Sequence, residues 1–360
     1  MSHIFPINEL ACVDLSPSWD DRYAGDVSIE KIRGGKVREF LCDIHSGLLK
    51  ETDARQIYRR MLLTARVNGH EVPRNVALLF FSDDPEEWFR GARIEVAQFA
   101  ADASGNVIEE KIFRGDLQKQ LRDGLGYLRG LSTQHVEKLE DRPEARSWYS
   151  YPIPAIEESL VNAVYHRSYE GEPEPIKVYL YLDRMEIISY PGPVPGIEPI
   201  HLQPGARIPP VPARNRRIGE LLKELRLAEA RGTGVTKIYR TMRQNGSPAP
   251  RFDFDAVRSY FRITLPIHPT SLGIEALRNA AQLQAFGDIE SAQEVLQQAR
   301  EAFELTLLSP EESGQAWTWF SLGQILRGMK APDSEIRRAF ERAHSLMPEE
   351  EKFRRELERL

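Results

Sequence analysis

The stretch "PGPVPGIEPIHLQPGARIPPVPA", residues 191–213, limits the fold more than any other part of the chain. Proline fixes φ and offers no N–H, so a run this rich in proline and glycine can be neither helix interior nor central strand. It reads as one long loop, and regular structure must lie on either side of it. Before it, "PIKVYLYLDRMEIISYPGP" alternates apolar and polar residues around Asp183-Arg184, the pattern of two strands. After it, "RNRRIGELLKELRLAEARGTGVTKIYRTMRQNG" has the spacing of two helices. The second opens at Gly232-Thr233-Gly234 and stops at Asn245-Gly246. "RFDFDAVRSYFRITLPI" then makes a closing pair of strands.

The helix that precedes this unit, "IEESLVNAVYHRSY", residues 156–169, has an unusual polar face. At 100° per residue, Ile156, Leu160, Ala163 and Val164 share one side. Glu158, Asn162, Tyr165 and His166 fall on the other. A solvated face usually carries Lys, Glu, Arg or Gln, and asparagine is a poor mid-helix residue because its amide competes with the backbone. A carboxylate, an amide and an imidazole at four-residue spacing therefore point to a site. Gly-Thr-Gly at a helix start adds a second signal. Glycines let backbone N–H groups approach an anion closely, and the helix end contributes partial positive charge. "SYPGPVPG", residues 189–196, ends a strand in a glycine turn that could border a base pocket.

The rest of the chain sets the context. Its 360 residues allow two or three domains, and 41% hydrophobic with 28% charged residues is the balance of a soluble globular protein. No apolar run is long enough to span a bilayer, and the first residues show no secretory signal. Cys12 and Cys42 cannot form a disulfide framework or a four-ligand zinc site, which suits a reducing cytoplasm. A net charge of −6 gives no basic footprint for nucleic acid. Residues 1–24 read as a leader and 25–145 as an α/β domain. In the latter, "ETDARQIYRRMLLTARVNG" is expected to be a helix ending at Asn68-Gly69. "NVALLFFSDDP", residues 75–85, suits a buried strand, and residues 92–115 two strands about a Ser-Gly-Asn turn. The central domain spans 146–269. From 270 to 360 the pattern is helical, with "WTWFSLGQIL" and "IRRAFERAHSLMP" spaced as a helix–turn–helix repeat similar to a tetratricopeptide pair.

The order of these parts resembles the Bergerat-type (GHKL) ATP-binding fold of gyrase B, histidine kinases and MutL. More closely, "AIEESLVNAVYHRSY", "MEIISYPGPVP", "ARNRRIGELLKELRLAEARGTGVTKI" and "SYFRITLP" look like the ATP-binding domain at the C-terminal end of RecG-like and Schlafen AlbA-associated proteins. The resemblance covers roughly residues 25–268. It implies an α+β architecture: a Bergerat-type α/β sandwich with an N-terminal α/β domain and a C-terminal all-α repeat tail. It also implies ATP and Mg²⁺ as ligands. Glu158 would be the general base toward the γ-phosphate, and Asn162 would give its amide oxygen to Mg²⁺. Gly232, Thr233 and Gly234 would offer backbone donors to the phosphates, and Gly192 would border the base. Arg207, Arg214, Arg216 and Arg217 occupy the place of the superfamily's mobile lid, and Arg214 and Arg217 are the candidates to reach the triphosphate. His166 and Arg167 match the family's His-Arg pair, with His166 fixing a neighbouring loop.

The chain departs from the family at Tyr190, where the family usually has Asn and the superfamily Asp. A phenol cannot accept the adenine amino group as a carboxylate does, and is expected to stack on the base instead. "EKIRGGKVREF" lacks the first glycine and the Ser/Thr of a P-loop, so no helicase motor is expected. The function expected is an ATP-binding regulator or slow Mg²⁺-dependent ATPase. Nucleotide would control a protein partner held through residues 271–360, or a homodimer contact. The alternative is a scaffold that binds partners through its tail without nucleotide.

Overall fold

The structure, a computed structural model, describes residues 17–100, 105–138, 145–227, 232–308 and 315–360. Helices α1 (Gly34–Asp43) and α2 (Ala54–Arg60) bury Val37, Phe40 and Leu41 and then Ile57 and Tyr58. The Asp53 side chain caps α2 by accepting from Arg55 N. The expected continuation of this helix to Asn68-Gly69 does not occur. Strands β1 (Thr64–Val67) and β2 (His70–Pro73) pair as an antiparallel hairpin. Asn68 at φ 50° and Gly69 at φ 82° form its turn. Two central residues with positive φ match the twist of flanking strands, so this Asn-Gly closes a hairpin and does not stop a helix.

A second correction follows at once. The apolar run expected as a strand is helix α3 (Asn75–Phe81), and every residue of it is buried. An element enclosed on all sides has no polar face, so it shows neither a period of 2 nor one of 3.6.

Strands β3 (Ile94–Phe99) and β4 (Val107–Phe113) form the expected antiparallel pair, although residues 101–104 of the turn lie outside the described residues. Helix α4 (Leu117–Leu131) follows, capped by Asp116, whose side chain accepts from Lys119 N. A small antiparallel pair, β5 (Gln134–Lys138) and β6 (Ala145–Tyr149), leads to α5 (Ile153–His166). Strands β7 (Ile176–Leu180) and β8 (Arg184–Ser189) come next. The proline-rich stretch holds only a 3-10 turn at Pro199–Leu202. Helix α6 (Arg216–Glu224) and helix α7 (Gly234–Asn245) follow it, and α7 ends on Gly246 at φ 79°. Strands β9 (Arg251–Asp253) and β10 (Phe261–Pro266) close the unit.

The main sheet has the order β4-β3-β7-β8-β10-β9, with β3 and β7 parallel and the other neighbours antiparallel. It therefore runs across residue 145, and the units expected on either side share one sheet. Helix α5 packs against β8, α4 and α7, with Ile156, Leu160 and Val164 fully buried. The expected leader is tied in as well. Asp20 is buried and accepts from Ile218 N at 2.8 Å in the first turn of α6. Arg167, also fully buried, donates to the carbonyls of Gly91, Ser168 and Glu172 and joins α5 to the N-terminal half.

The C-terminal region is helical: α8 (Pro269–Ala285), α9 (Ile289–Leu307), α10 (Ala316–Gly328), α11 (Asp333–Leu346) and α12 (Glu351–Glu358). Phe320 and Phe353 stack with ring centroids 4.9 Å apart. A Cβ at Gly323 would lie 2.6 Å from the Phe340 ring, so α10 and α11 approach as closely as a glycine allows. The whole is an α+β protein with a helical tail. Among the described residues no helix is long and apolar enough to cross a membrane.

Candidate functional site

Helix α5 presents its polar stripe to a cavity of about 470 Å³. Glu158 is only 8% exposed, so this face is not solvated. Its Oε1 accepts from Asn162 Nδ2 at 3.2 Å, and its Oε2 lies 3.0 Å from Lys237 Nζ of α7. A carboxylate in this arrangement only accepts, so the nitrogen of the Asn162 amide must face Glu158, and its oxygen is left for another partner.

Helix α7 meets that stripe end-on. A Cβ on Gly234 would lie 2.5 Å from Glu158 Oε1 and 2.9 Å from Asn162 Nδ2, so a larger residue here would have to displace both side-chain ends. Gly232 has φ +67°, a left-handed conformation that glycine adopts without strain. The two glycines thus serve different ends, one for closeness and one for the turn. Lys237 N–H bonds Thr233 O at 2.9 Å and makes the first helical turn. The preceding amides of Gly234, Val235 and Thr236 have no acceptor within the helix, and Gly234 and Val235 line the cavity.

On the opposite side the Pro-Gly turn is fixed equally tightly. Gly192 N–H donates to Arg258 O at 2.6 Å, and a Cβ on Gly192 would meet Arg258 and Tyr260 backbone atoms at 2.9 Å. Arg214 donates to Gly192 O at 2.9 Å and to His166 O, and so clips this turn to the end of α5. Burial of the Arg214 guanidinium pushes its pKa below the ordinary value. His166 lines the cavity with its ring tilted against Tyr165, centroids 4.3 Å apart. The residue is exposed overall, and its pKa lies below the ordinary value through local desolvation and then the Arg214 cation. It is placed as a structural neighbour of the loop.

The cavity therefore gathers Glu158, Asn162, His166, Gly192, Arg214, Gly232, Thr233 and Gly234. Tyr190 and Arg217 are not among its lining residues. Along β8 side chains alternate, so Met185, Ile187 and Ser189 share the face toward α5 while Tyr190 follows in the other phase. The Tyr190 ring instead packs under Lys177, whose Nζ is 5.5 Å from its centroid. In this structure the Tyr190 ring does not face the cavity, and no Asn or Asp takes its place there. Arg217 turns away because α6 begins beside it. It donates to Met61 O at 2.8 Å and pairs with Glu220, lining a separate surface cleft with Trp19 and Asp21. Arg207 is exposed and lines neither, while Arg216 pairs with Glu220 at 3.2 Å. Of the basic loop, Arg214 alone reaches the cavity.

Three further features of this region carry weaker sequence signals. Lys237 sits one helical turn after Gly234, and that i, i+3 spacing was the available signal. Ser189 could have been found by counting strand phase from Met185. The apolar wall of Phe252, Phe261, Ile263 and Leu202 left no local signature, because it is assembled from β9, β10 and the loop. Among the described residues, no cluster of three or more His, Cys, Asp or Glu side chains could hold a metal unaided.

Comparison with known proteins agrees with this geometry in part. Residues 174–265 match the family described as "Putative ATP-dependent DNA helicase recG C-terminal". That segment runs from β7 to β10 and includes the Gly232–Gly234 turn and Lys237, but it begins after α5. Among curated proteins no match is found. A solved structure, the DIP2311 protein from Corynebacterium diphtheriae, is similar in fold, with a TM-score of 0.53 at 18% identity. The alignment covers 91% of this chain but only 60% of that one. Residues 174–265 are thus similar to the RecG C-terminal family, and they lie within a larger α+β fold.

Proposed function

We propose that the cavity between α5 and α7 binds ATP with Mg²⁺ and hydrolyses it slowly. Occupancy would control what the chain presents to a protein partner through residues 271–360, or to a second copy of itself. The observation that supports this is the meeting of Glu158, Asn162 and the first turn of α7 in a cavity that also has apolar walls. Polyphosphate needs donors and a metal ligand together, and a nucleobase needs an apolar slot.

In this reading the amides of Gly234 and Val235 bind the phosphates, and Lys237 adds a cation beside them. Asn162 fits as the protein ligand to Mg²⁺, an ion that takes most of its ligands from phosphate and water; the ion would neutralise phosphate charge. Glu158 orients a water toward the terminal phosphate, with Lys237 and Asn162 fixing the carboxylate's position. Arg214 keeps the Pro-Gly turn and α5 together and so sets the width of the base slot.

The test separates binding from turnover. Asn162→Ala is expected to abolish the Mg²⁺-dependent part of any ATP-induced rise in melting temperature. Glu158→Gln is expected to keep binding and lose hydrolysis. Hydrolysis that survives in Glu158→Gln removes the carboxylate from its role as base, and binding that ignores Asn162→Ala removes the amide from the metal.

A further inference from the structure

The nucleotide reading leaves one question that the cavity itself addresses: what reads the base. The position that the motif points to, Tyr190, lies in the wrong strand phase. Its neighbour Ser189 is 3% exposed, lines the cavity, and sits opposite Phe261 in the β8–β10 register. No hydrogen bond of its hydroxyl to another described residue is formed. Its oxygen is not sealed off but opens on the cavity, so it is a free polar contact for a ligand in a slot otherwise walled by Phe252, Phe261 and Ile263.

We infer that Ser189 contacts the 6-position edge of a purine held in this slot, and that the site accepts 6-amino and 6-oxo purine nucleotides nearly alike. The inference rests on the nucleotide reading above. The reason for the breadth is chemical. A carboxylate only accepts, so it welcomes an amino group and repels a carbonyl. A hydroxyl can donate or accept, and its hydrogen rotates to suit either. The apolar walls add contact area without preference, because each purine presents the same flat faces. Regulation by such a site would follow total purine triphosphate instead of ATP alone.

The experiment uses the full chain with Mg²⁺ and three nucleotides: ATP, inosine triphosphate, and purine riboside triphosphate, which bears hydrogen at C6. Thermal-shift titrations give apparent affinities. ATP and inosine triphosphate are expected within about threefold of each other, and the unsubstituted nucleotide about tenfold weaker than both. Ser189→Ala should bring the first two down to the level of the third, while Tyr190→Phe leaves all three unchanged. A preference for ATP over inosine triphosphate beyond about thirtyfold overturns the inference, since that is the behaviour of a fixed acceptor. So does full-strength binding of the unsubstituted nucleotide, or an unchanged Ser189→Ala. The three wild-type titrations decide the matter even if the alanine variant fails to fold. A wild-type chain that responds to none of them defeats the nucleotide reading itself, a distinct result from a chain that binds ATP alone.

Discussion

The two ends of the cavity are built by different rules. The end with Glu158 and Asn162 is made from short-range patterns: a four-residue step on α5 and a Gly-x-Gly start to α7. Its atoms are tightly committed, with Glu158 held from both sides and Gly234 pressed against it. The end with Ser189 and Phe261 is made from strand phase and from a loop that returns from far along the chain. Its side chains wall a space and few of them bond across it. The first kind of site can tolerate almost no change in volume, whereas the second tolerates a good deal.

The largest effect that can break this contrast is at Gly234. Gly234→Ala places a methyl group 2.5 Å from a carboxylate oxygen that Lys237 and Asn162 keep from moving. We expect a loss of about 1–3 kcal/mol in stability, the cost of overpacking, and complete loss of ATP response. Denaturant melts with and without nucleotide measure both. A fully stable variant would mean that this end is as loose as the other.

Lys237→Ala comes next. It leaves Glu158, 8% exposed, with only the Asn162 amide as partner. Lys237 itself is partly open to solvent, so the expected cost is about 1–2 kcal/mol and not the larger figure of a fully enclosed pair. Lys237→Arg should restore most of it. An Ala variant as stable as wild type, measured the same way, would show that the ion pair does not hold the carboxylate.

At the apolar end Phe261→Ala is expected to be mild. Phe261 is half-buried, and we expect ATP affinity to weaken by about 1 kcal/mol through loss of ring contact with the base. Hydrolysis at saturating nucleotide should be unaffected. A fall in the saturated rate with unchanged affinity would reverse the roles assigned to the two ends.

The same contrast explains what could be read from the residues alone. Helix α5, the β7–β8 pair, the irregular 191–213 stretch and the stop at Asn245-Gly246 were legible because each is set by local periodicity or by proline and glycine. The hairpin at Asn68-Gly69 was not, because the same dipeptide ends helices and turns strands, and only the pairing of Thr64–Val67 with His70–Pro73 decides. Helix α3 was hidden by its complete burial. Of the candidate residues picked by spacing, Glu158, Asn162 and Gly232–Gly234 line one cavity, while Tyr190 falls in the other strand phase. A family motif gives a position in the sequence, but a strand gives alternate residues to opposite faces. The choice between Tyr190 and Ser189 depends on that phase. Arg217 lines a different cleft for a related reason: a cation near a loop can face either way until the helix start is known.

Whether one cavity receives magnesium nucleotide can be read from the melting temperature of the wild-type chain. A ligand that binds only the folded state adds about 2.7 kcal/mol of stability at a hundredfold excess over its dissociation constant. With millimolar ATP and Mg²⁺ the melting temperature is expected to rise with nucleotide concentration and to fall back when Mg²⁺ is chelated. A melting temperature unmoved by millimolar ATP and Mg²⁺ would contradict it.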